Sequence, residues 1–236
     1  MDLHATLSAN LKAVRERIAA ACARVNRDPS EVTLIAVTKY HGADIADAIV
    51  NAGATEIGEN RLQVAAPKFE AMKTKPKRHF IGPLQKNKVR DVLSLFDCIH
   101  SIDRMSIAEA IQSRAEQLEI ASVPCFVEVN VSGEEQKGGF APAQLFPALR
   151  EMAATLDRVN LVGLMTMAPL SENAEATRPF FKRLRILRDN AVAEGFIAAP
   201  FGGLSMGMSG DFEVAVEEGA THVRVGTALY QGMEEA

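Results

Sequence analysis

Val32-Thr33-Leu34-Ile35-Ala36-Val37 is a short, unbroken apolar run rich in β-branched residues. A strand buried on both faces of a parallel sheet reads this way. Upstream, Leu3, Leu7, Leu11, Val14, Ile18, Cys22 and Val25 recur every three or four positions, one apolar stripe of a helix ending near Asn26. Downstream, Ile45, Ala48, Ile49 and Ala52 return to helical spacing, and Gly53 suits the helix end. The alternation then repeats. Further strands are expected at Glu56–Gly58, His79–Ile81, Cys98–His100, Cys125–Val131, Leu161–Met165, Gly203–Ser205 and His222–Val225, with helical patterns between them. Eight strands alternating with helices predict a parallel sheet. Without the leading helix about 206 residues remain, or about 26 per unit, which fits a compact (β/α)8 barrel of the TIM type. A doubly wound open sheet is the alternative, since alternation alone does not prove closure. No linker divides the chain, so residues 1–236 are expected to form one α/β domain with an extra N-terminal helix.

Composition narrows the function. Lys and Arg total 26 against 30 Asp and Glu, a net charge of −4. A chain this acidic lacks the global charge of a nucleic-acid binder. Cys22, Cys98 and Cys125 form no C-x-x-C pair, so neither a disulfide framework nor a structural metal site is expected. The first 25 residues carry Asp2, Lys12, Arg15 and Arg17 at helical spacing, unlike a signal peptide. No apolar run approaches the roughly 18 residues of a membrane span. A cytoplasmic protein is expected.

In a barrel, chemistry gathers at the carboxyl ends of the strands. Lys39 closes the first strand, and Tyr40 follows it. A lysine that loses hydration at a barrel mouth becomes a nucleophile toward an aldehyde; the plain alternative is a solvated strand-end lysine. Gly203-Leu204-Ser205 and Gly226-Thr227 place small residues and hydroxyls after strands seven and eight, where barrels often bind phosphate. Two ordinary glycine turns would look the same. Arg224 stands inside an apolar strand, where a guanidinium is costly unless paired. It serves either a structural ion pair or a ligand acceptor. An aldehyde, a phosphate and a ring nitrogen between them describe pyridoxal phosphate.

Other residues carry weaker signals. Lys73, Lys75, Lys77 and Arg78 read as a solvated basic face, with nucleic-acid binding the lesser reading. His41, His79 and His100 lack metal-ligand spacing, and His100 reads as a satisfied core histidine. Asp103 and Glu128 are able to act as acid or base, but nothing in the sequence pairs them. Lys137, in the glycine-flanked loop after strand five, reads as a surface lysine, with transient capture of the aldehyde as the sharper alternative.

The segments Leu34–Lys39, Gly58-Glu59-Asn60-Arg61, His79–Lys88, Ile99–Asp103, Val129-Asn130-Val131 with Gln136–Gly139, Gly163–Thr166, Leu204–Asp211 and Thr221–Thr227 together resemble the pyridoxal-phosphate homeostasis protein family. Its members share the barrel of the alanine racemase N-terminal domain, a fold type III pyridoxal-phosphate protein. The resemblance implies that Lys39 holds the cofactor as an aldimine. It implies Ser205, Gly226 and Thr227 at the phosphate, Arg224 at the pyridine nitrogen, and Asn60 and His79 lining the pocket near the ring. Val64, Arg78 and Gln231 depart from the family pattern without removing a cofactor contact. The implied role is intracellular cofactor homeostasis and supply to apo-enzymes through transient contacts, by a monomer or, alternatively, a dimer, without a dedicated reaction or catalytic residue. The alternative is a pyridoxal-phosphate-dependent amino-acid racemase or related enzyme. Racemisation needs a second base, which related racemases take from a tyrosine of a further domain. Here the tyrosines are Tyr40 and Tyr230, and the chain ends nine residues after Thr227.

Overall fold

The structure is a computed structural model that describes residues 3–134, 136–198 and 202–233. After α1 (Leu3–Arg24), eight parallel strands close into one barrel in chain order, β1 pairing with β8. The units are β1 (Thr33–Val37) and α2 (Ala43–Asn51), β2 (Glu56–Glu59) and α3 (Leu62–Ala71), β3 (Lys77–Phe80) and α4 (Val89–Leu95), β4 (Cys98–Ile102) and α5 (Met105–Gln117), β5 (Val123–Glu128) and α6 (Pro142–Thr155), β6 (Val159–Met165) and α7 (Arg178–Ala193), and β7 (Gly203–Ser205) and α8 (Phe212–Glu217). β8 (His222–Val225) leads into a single 3-10 turn at Thr227–Leu229. The barrel expectation holds, and the open-sheet alternative falls.

The leading helix has a structural reason. Among the described residues β8 is followed by no α-helix, and α1 packs against α8, α2 and the Thr227–Leu229 turn. It therefore fills the eighth place in the outer ring. Its stripe of Leu7, Leu11, Val14, Ile18 and Cys22 is buried as the periodicity requires, and it ends at Asn26 in the left-handed region (φ 55°). Several strand boundaries differ from expectation by one to three residues, and two of them have a visible cause. β3 begins at Lys77 because Lys77 and Arg78, read as part of a solvated basic face, pair with Glu56 and Ile57. β5 ends at Glu128 rather than Val131. Beyond it Val129 makes one isolated bridge to Phe140, and the Asn130 side chain donates to the Glu134 carbonyl (2.9 Å), turning the chain into a loop.

Alternation along the strands sorts the core into two parts. Residues such as Ala36, Ile57, Phe80, Ile99, Val127, Leu204 and Val223 face the helices and join the large apolar core. Inside the barrel the apolar cluster is small: Cys98, Phe126 and Met165. Beside inward-facing Ile35, much of the interior is polar, with His79, His100, Ser205 and Arg224 all buried. All three cysteines are buried and free, and among the described residues no helix is long and apolar enough to cross a membrane.

Leu11 is 1% exposed on the helix that completes the ring, whereas Leu170 is 94% exposed. Leu11→Ala is expected to cost about 2–5 kcal/mol in urea unfolding. Leu170→Ala is expected to change stability by less than about 0.5 kcal/mol.

Candidate functional site

Lys39 lies two residues beyond β1, half-buried, with its amine 4.8 Å from the Tyr40 ring centre. Its backbone is held by a buried clamp. Thr38 Oγ1 donates to Glu59 Oε1 (2.5 Å), and Lys68 Nζ donates to the same oxygen (2.6 Å) and to the Thr38 carbonyl (2.7 Å). Lys68 and Glu59 are 4% and 0% exposed at their side chains. This ties α3 to the ends of β1 and β2, and it fixes both Lys39 and the adjacent Asn60. Asn60 is half-buried, and its backbone passes so close to Gly82 that a Cβ there would stand 2.1 Å from the Asn60 carbonyl oxygen.

The glycine turn beside β8 is assembled from two loops. Gly207 takes a positive φ of 91°, and a Cβ on it would lie 2.6 Å from Ala215 Cβ, so only glycine fits. The turn returns the chain to Ser209, whose Oγ accepts from the Gly226 N–H (3.2 Å) and the Ala228 N–H (3.3 Å). Two amides converge there on one small acceptor, beside exposed Thr227 and Gly210, which has open space around it. Gly226 itself packs on Val37, the last residue of β1, 3.5 Å from its would-be Cβ. The turn thus borders the strand end that carries Lys39.

Ser205 is elsewhere. The sequence reading grouped it with Gly226 and Thr227, but it points into the barrel, 0% exposed, with its Oγ engaged by Arg224 Nη1 (2.6 Å) and His100 Nδ1 (2.8 Å). Ser209 holds the position beside the turn. The available signal was position: Ser205 is in a strand, and Ser209 lies in a glycine turn. His79, expected to line the pocket near the ring, is also wholly buried. Its ring nitrogens are taken by His100 Nε2 (2.9 Å) and Glu56 Oε2 (2.6 Å). His100 is the satisfied core histidine expected. The strands bring His79, Cys98 and His100 together, their ligand-type atoms within 4.8 Å of one another, a proximity that sequence spacing does not reveal. Burial pushes the Cys98 thiol up to about 12, and the two imidazoles bond each other, so the group stands as a hydrogen-bonded core.

Arg224 is 5% exposed, with Nη2 donating to the Thr166 carbonyl (2.9 Å). Burial lowers its pKa to about 10 against the support of Glu128 and Asp211, so it stays charged at neutral pH. Glu128 and Asp103, unpaired in the sequence, converge at the end of β5: a Cβ at Gly138 would lie 3.7 Å from a carboxylate oxygen of each. Burial, then the Asp103 charge, push the Glu128 carboxyl up to about 7, with Arg224 opposing. Lys137, in the same loop, ion-pairs with Glu134 and donates to the Met167 carbonyl (3.4 Å). In the basic run, Arg78 lies 4.4 Å over the Phe69 ring, and Lys77 is 3.8 Å from Glu56.

A barrel with a strand-end lysine, a glycine turn and a buried arginine defines a class, and comparison agrees. The family model for the alanine racemase N-terminal domain matches residues 9–234. A pyridoxal phosphate homeostasis protein of Aquifex aeolicus strain VF5 is 44% identical over 221 residues, covering 93% of this chain and 95% of its own. An unknown protein from Bifidobacterium adolescentis superposes with a TM-score of 0.87 at 36% identity, over 97% of this chain and 96% of the other. PipY of Synechococcus elongatus PCC7942, solved with PLP bound, superposes with a TM-score of 0.78 at 34% identity, over 92% and 99%. The chain belongs to the pyridoxal phosphate homeostasis proteins, within the alanine racemase N-terminal domain family.

A buried acid with a raised pKa weakens the fold only where it must ionise: the penalty is absent below about pH 4.5 and complete above about pH 7. Glu128→Gln is therefore expected to stabilise the protein by up to roughly 3 kcal/mol at pH 8 and by little at pH 4. Thermal melts at the two pH values check this.

Proposed function

We propose that this chain binds pyridoxal phosphate reversibly, with the Lys39 amine taking the aldehyde. Ser209, Gly226, Thr227 and Ala228 hold the phosphate, and Arg224 faces the pyridine nitrogen. The residues fit the group. Two amide N–H groups and two hydroxyls suit a phosphate, and a half-buried amine suits an aldehyde. When bound, the cofactor supplies an aldehyde that exchanges between primary amines. The observation that carries the reading is the contact of the Gly226 turn with Val37, which brings an anion cradle to the strand end bearing Lys39. PLP in the PipY structure supports it. The physiological role that follows is homeostasis in the cytoplasm: the protein holds the aldehyde, limits its free concentration, and releases it to apo-enzymes through transient contacts, as a monomer of one barrel domain with no reaction of its own.

The protein's own groups suit holding more than turnover. Tyr230 is buried against His41, ring centres 3.9 Å apart, and burial with the nearby Glu59 charge pushes its phenol up, away from use as a base. Tyr40 is 85% exposed beside Lys39. A second reading, an amino-acid racemase or related enzyme, draws support from the Glu128 carboxyl poised near neutrality beside Asp103. Chiral analysis after incubation with single amino-acid enantiomers separates the two; turnover lost in Lys39→Ala favours the enzyme.

Borohydride reduction with pyridoxal phosphate, followed by peptide mapping, is expected to place a pyridoxyl group on Lys39. Lys39→Ala should abolish that adduct, and a full-stoichiometry adduct in this variant would overturn the assignment. Ser209→Ala is expected to raise the Kd for pyridoxal phosphate by roughly tenfold, through loss of one hydrogen bond to a charged group.

A further inference from the structure

Inside the barrel an unbroken series of hydrogen bonds joins Arg224 to Glu56. Arg224 Nη1 donates to Ser205 Oγ (2.6 Å). Ser205 Oγ is 2.8 Å from His100 Nδ1, His100 Nε2 is 2.9 Å from His79 Nδ1, and His79 Nε2 is 2.6 Å from Glu56 Oε2. His79, His100 and Ser205 are 0% exposed. Glu56 opens β2, 3.8 Å from Lys77, which opens β3, so that end of the series lies at the amino-terminal side of the barrel. Arg224 reaches the Thr166 carbonyl, just beyond β6, on the carboxyl-terminal side.

The two ends fix the order of protons, because a guanidinium only donates and a carboxylate only accepts. Burial pushes Glu56 up, but the His79 hydrogen bond and the nearby Lys77 charge hold it below its ordinary value, so it is ionised at neutral pH. His79 Nε2 must then carry a proton. With His79 Nδ1 as the acceptor of the pair, His100 carries its proton on Nε2. Burial, with the Arg224 charge nearby, holds His100 neutral. Its Nδ1 therefore accepts, and the Ser205 hydroxyl donates to it, turning the Ser205 lone pairs to Arg224. Every bond points toward Glu56. The reverse order would make Ser205 accept from Arg224 and His100 at once. Its own proton would then have no partner, since among the described residues Oγ meets only those two.

We infer that Glu56, His79, His100 and Ser205 form a one-directional positioning chain for Arg224, through which a carboxylate on the amino-terminal side sets the guanidinium at the opposite mouth. With Thr166 holding Nη2, two anchors fix the plane of the group. Three of its five N–H bonds remain for a ligand acceptor. Its use toward a pyridine nitrogen rests on the function proposed above; the proton order does not.

Histidine side-chain 15N spectra of the unliganded protein at pH 7 decide the chain itself. The expected result is His79 and His100 both neutral with the proton on Nε2. An Nδ1–H tautomer or an imidazolium at either residue would overturn it. In Glu56→Gln the uniform Nε2–H order should break down, with Nδ1–H appearing at His79; an unchanged pattern would show that the carboxylate does not set it. For the role, Ser205→Ala and Glu56→Gln, checked as folded by near-ultraviolet circular dichroism, are titrated with pyridoxal phosphate. A roughly tenfold rise in Kd and a shifted absorption maximum are expected, with the Lys39 adduct still formed at saturation. Unchanged affinity and absorption in both variants would overturn the positioning role. If the parent protein itself takes up no cofactor, the proposed function fails, and the tautomer result still judges the chain.

Discussion

A full positive charge lies inside a closed barrel, and the interior is arranged around it. Arg224 stands in β8 with 5% exposure, where an unpaired guanidinium is costly. It is satisfied by a hydroxyl, a main-chain carbonyl and the field of Glu128 and Asp211. The hydroxyl in turn needs an acceptor, which calls for a histidine, and that histidine calls for another. The series ends at a carboxylate near solvent. This accounts for an interior whose apolar cluster, Cys98, Phe126 and Met165 among the described residues, is small while the helix-facing core is large. Packing against the helices holds the barrel closed, and the inside is given over to keeping one charge in place.

That division explains what the sequence discloses. The helix-facing positions carry the apolar runs and stripes, so eight strands and the leading helix are readable from residue type alone. Interior residues appear only as exceptions, such as Arg224 in an apolar strand or His100 among buried neighbours. Their pairings are not readable, because the partners come from separate strands: His79 and His100 are 21 positions apart, and His100 and Ser205 are 105 apart. Asp103 and Glu128 are invisible as a pair for the same reason, since they follow the paired ends of β4 and β5, 25 positions apart. Ser205 and Ser209 stand four positions apart, and which of them faces the barrel interior and which the turn depends on where the strand ends, which takes the Gly207 backbone to decide.

The lysine site depends on a second buried charge. Lys68 and Glu59 hold each other where β1 and β2 end, and Thr38 closes the triangle. Removing either partner would leave a buried charge uncompensated, a loss of several kcal/mol. The clamp holds Thr38, so Lys39 is carried on anchored backbone even though its side chain is only half-buried. α3 supplies Lys68, and the sequence patterns around Glu59 and Asn60 gave no sign of a cation reaching back to them.

The two buried charges divide the labour in a way that bears on chemistry. A site built for carbanion reactions benefits from a partner that gives a proton to the ring nitrogen. Arg224 remains charged at pH 7 even after burial lowers its pKa to about 10, so it offers hydrogen bonds without giving up a proton. Fixed in plane by Ser205 and Thr166, it would, under the proposed function, orient a ring nitrogen and leave the ring a poor electron sink. Under the function proposed above, an amine on held backbone beside the Gly226 turn suits retention and release of an aldehyde more than bond-breaking on what is bound.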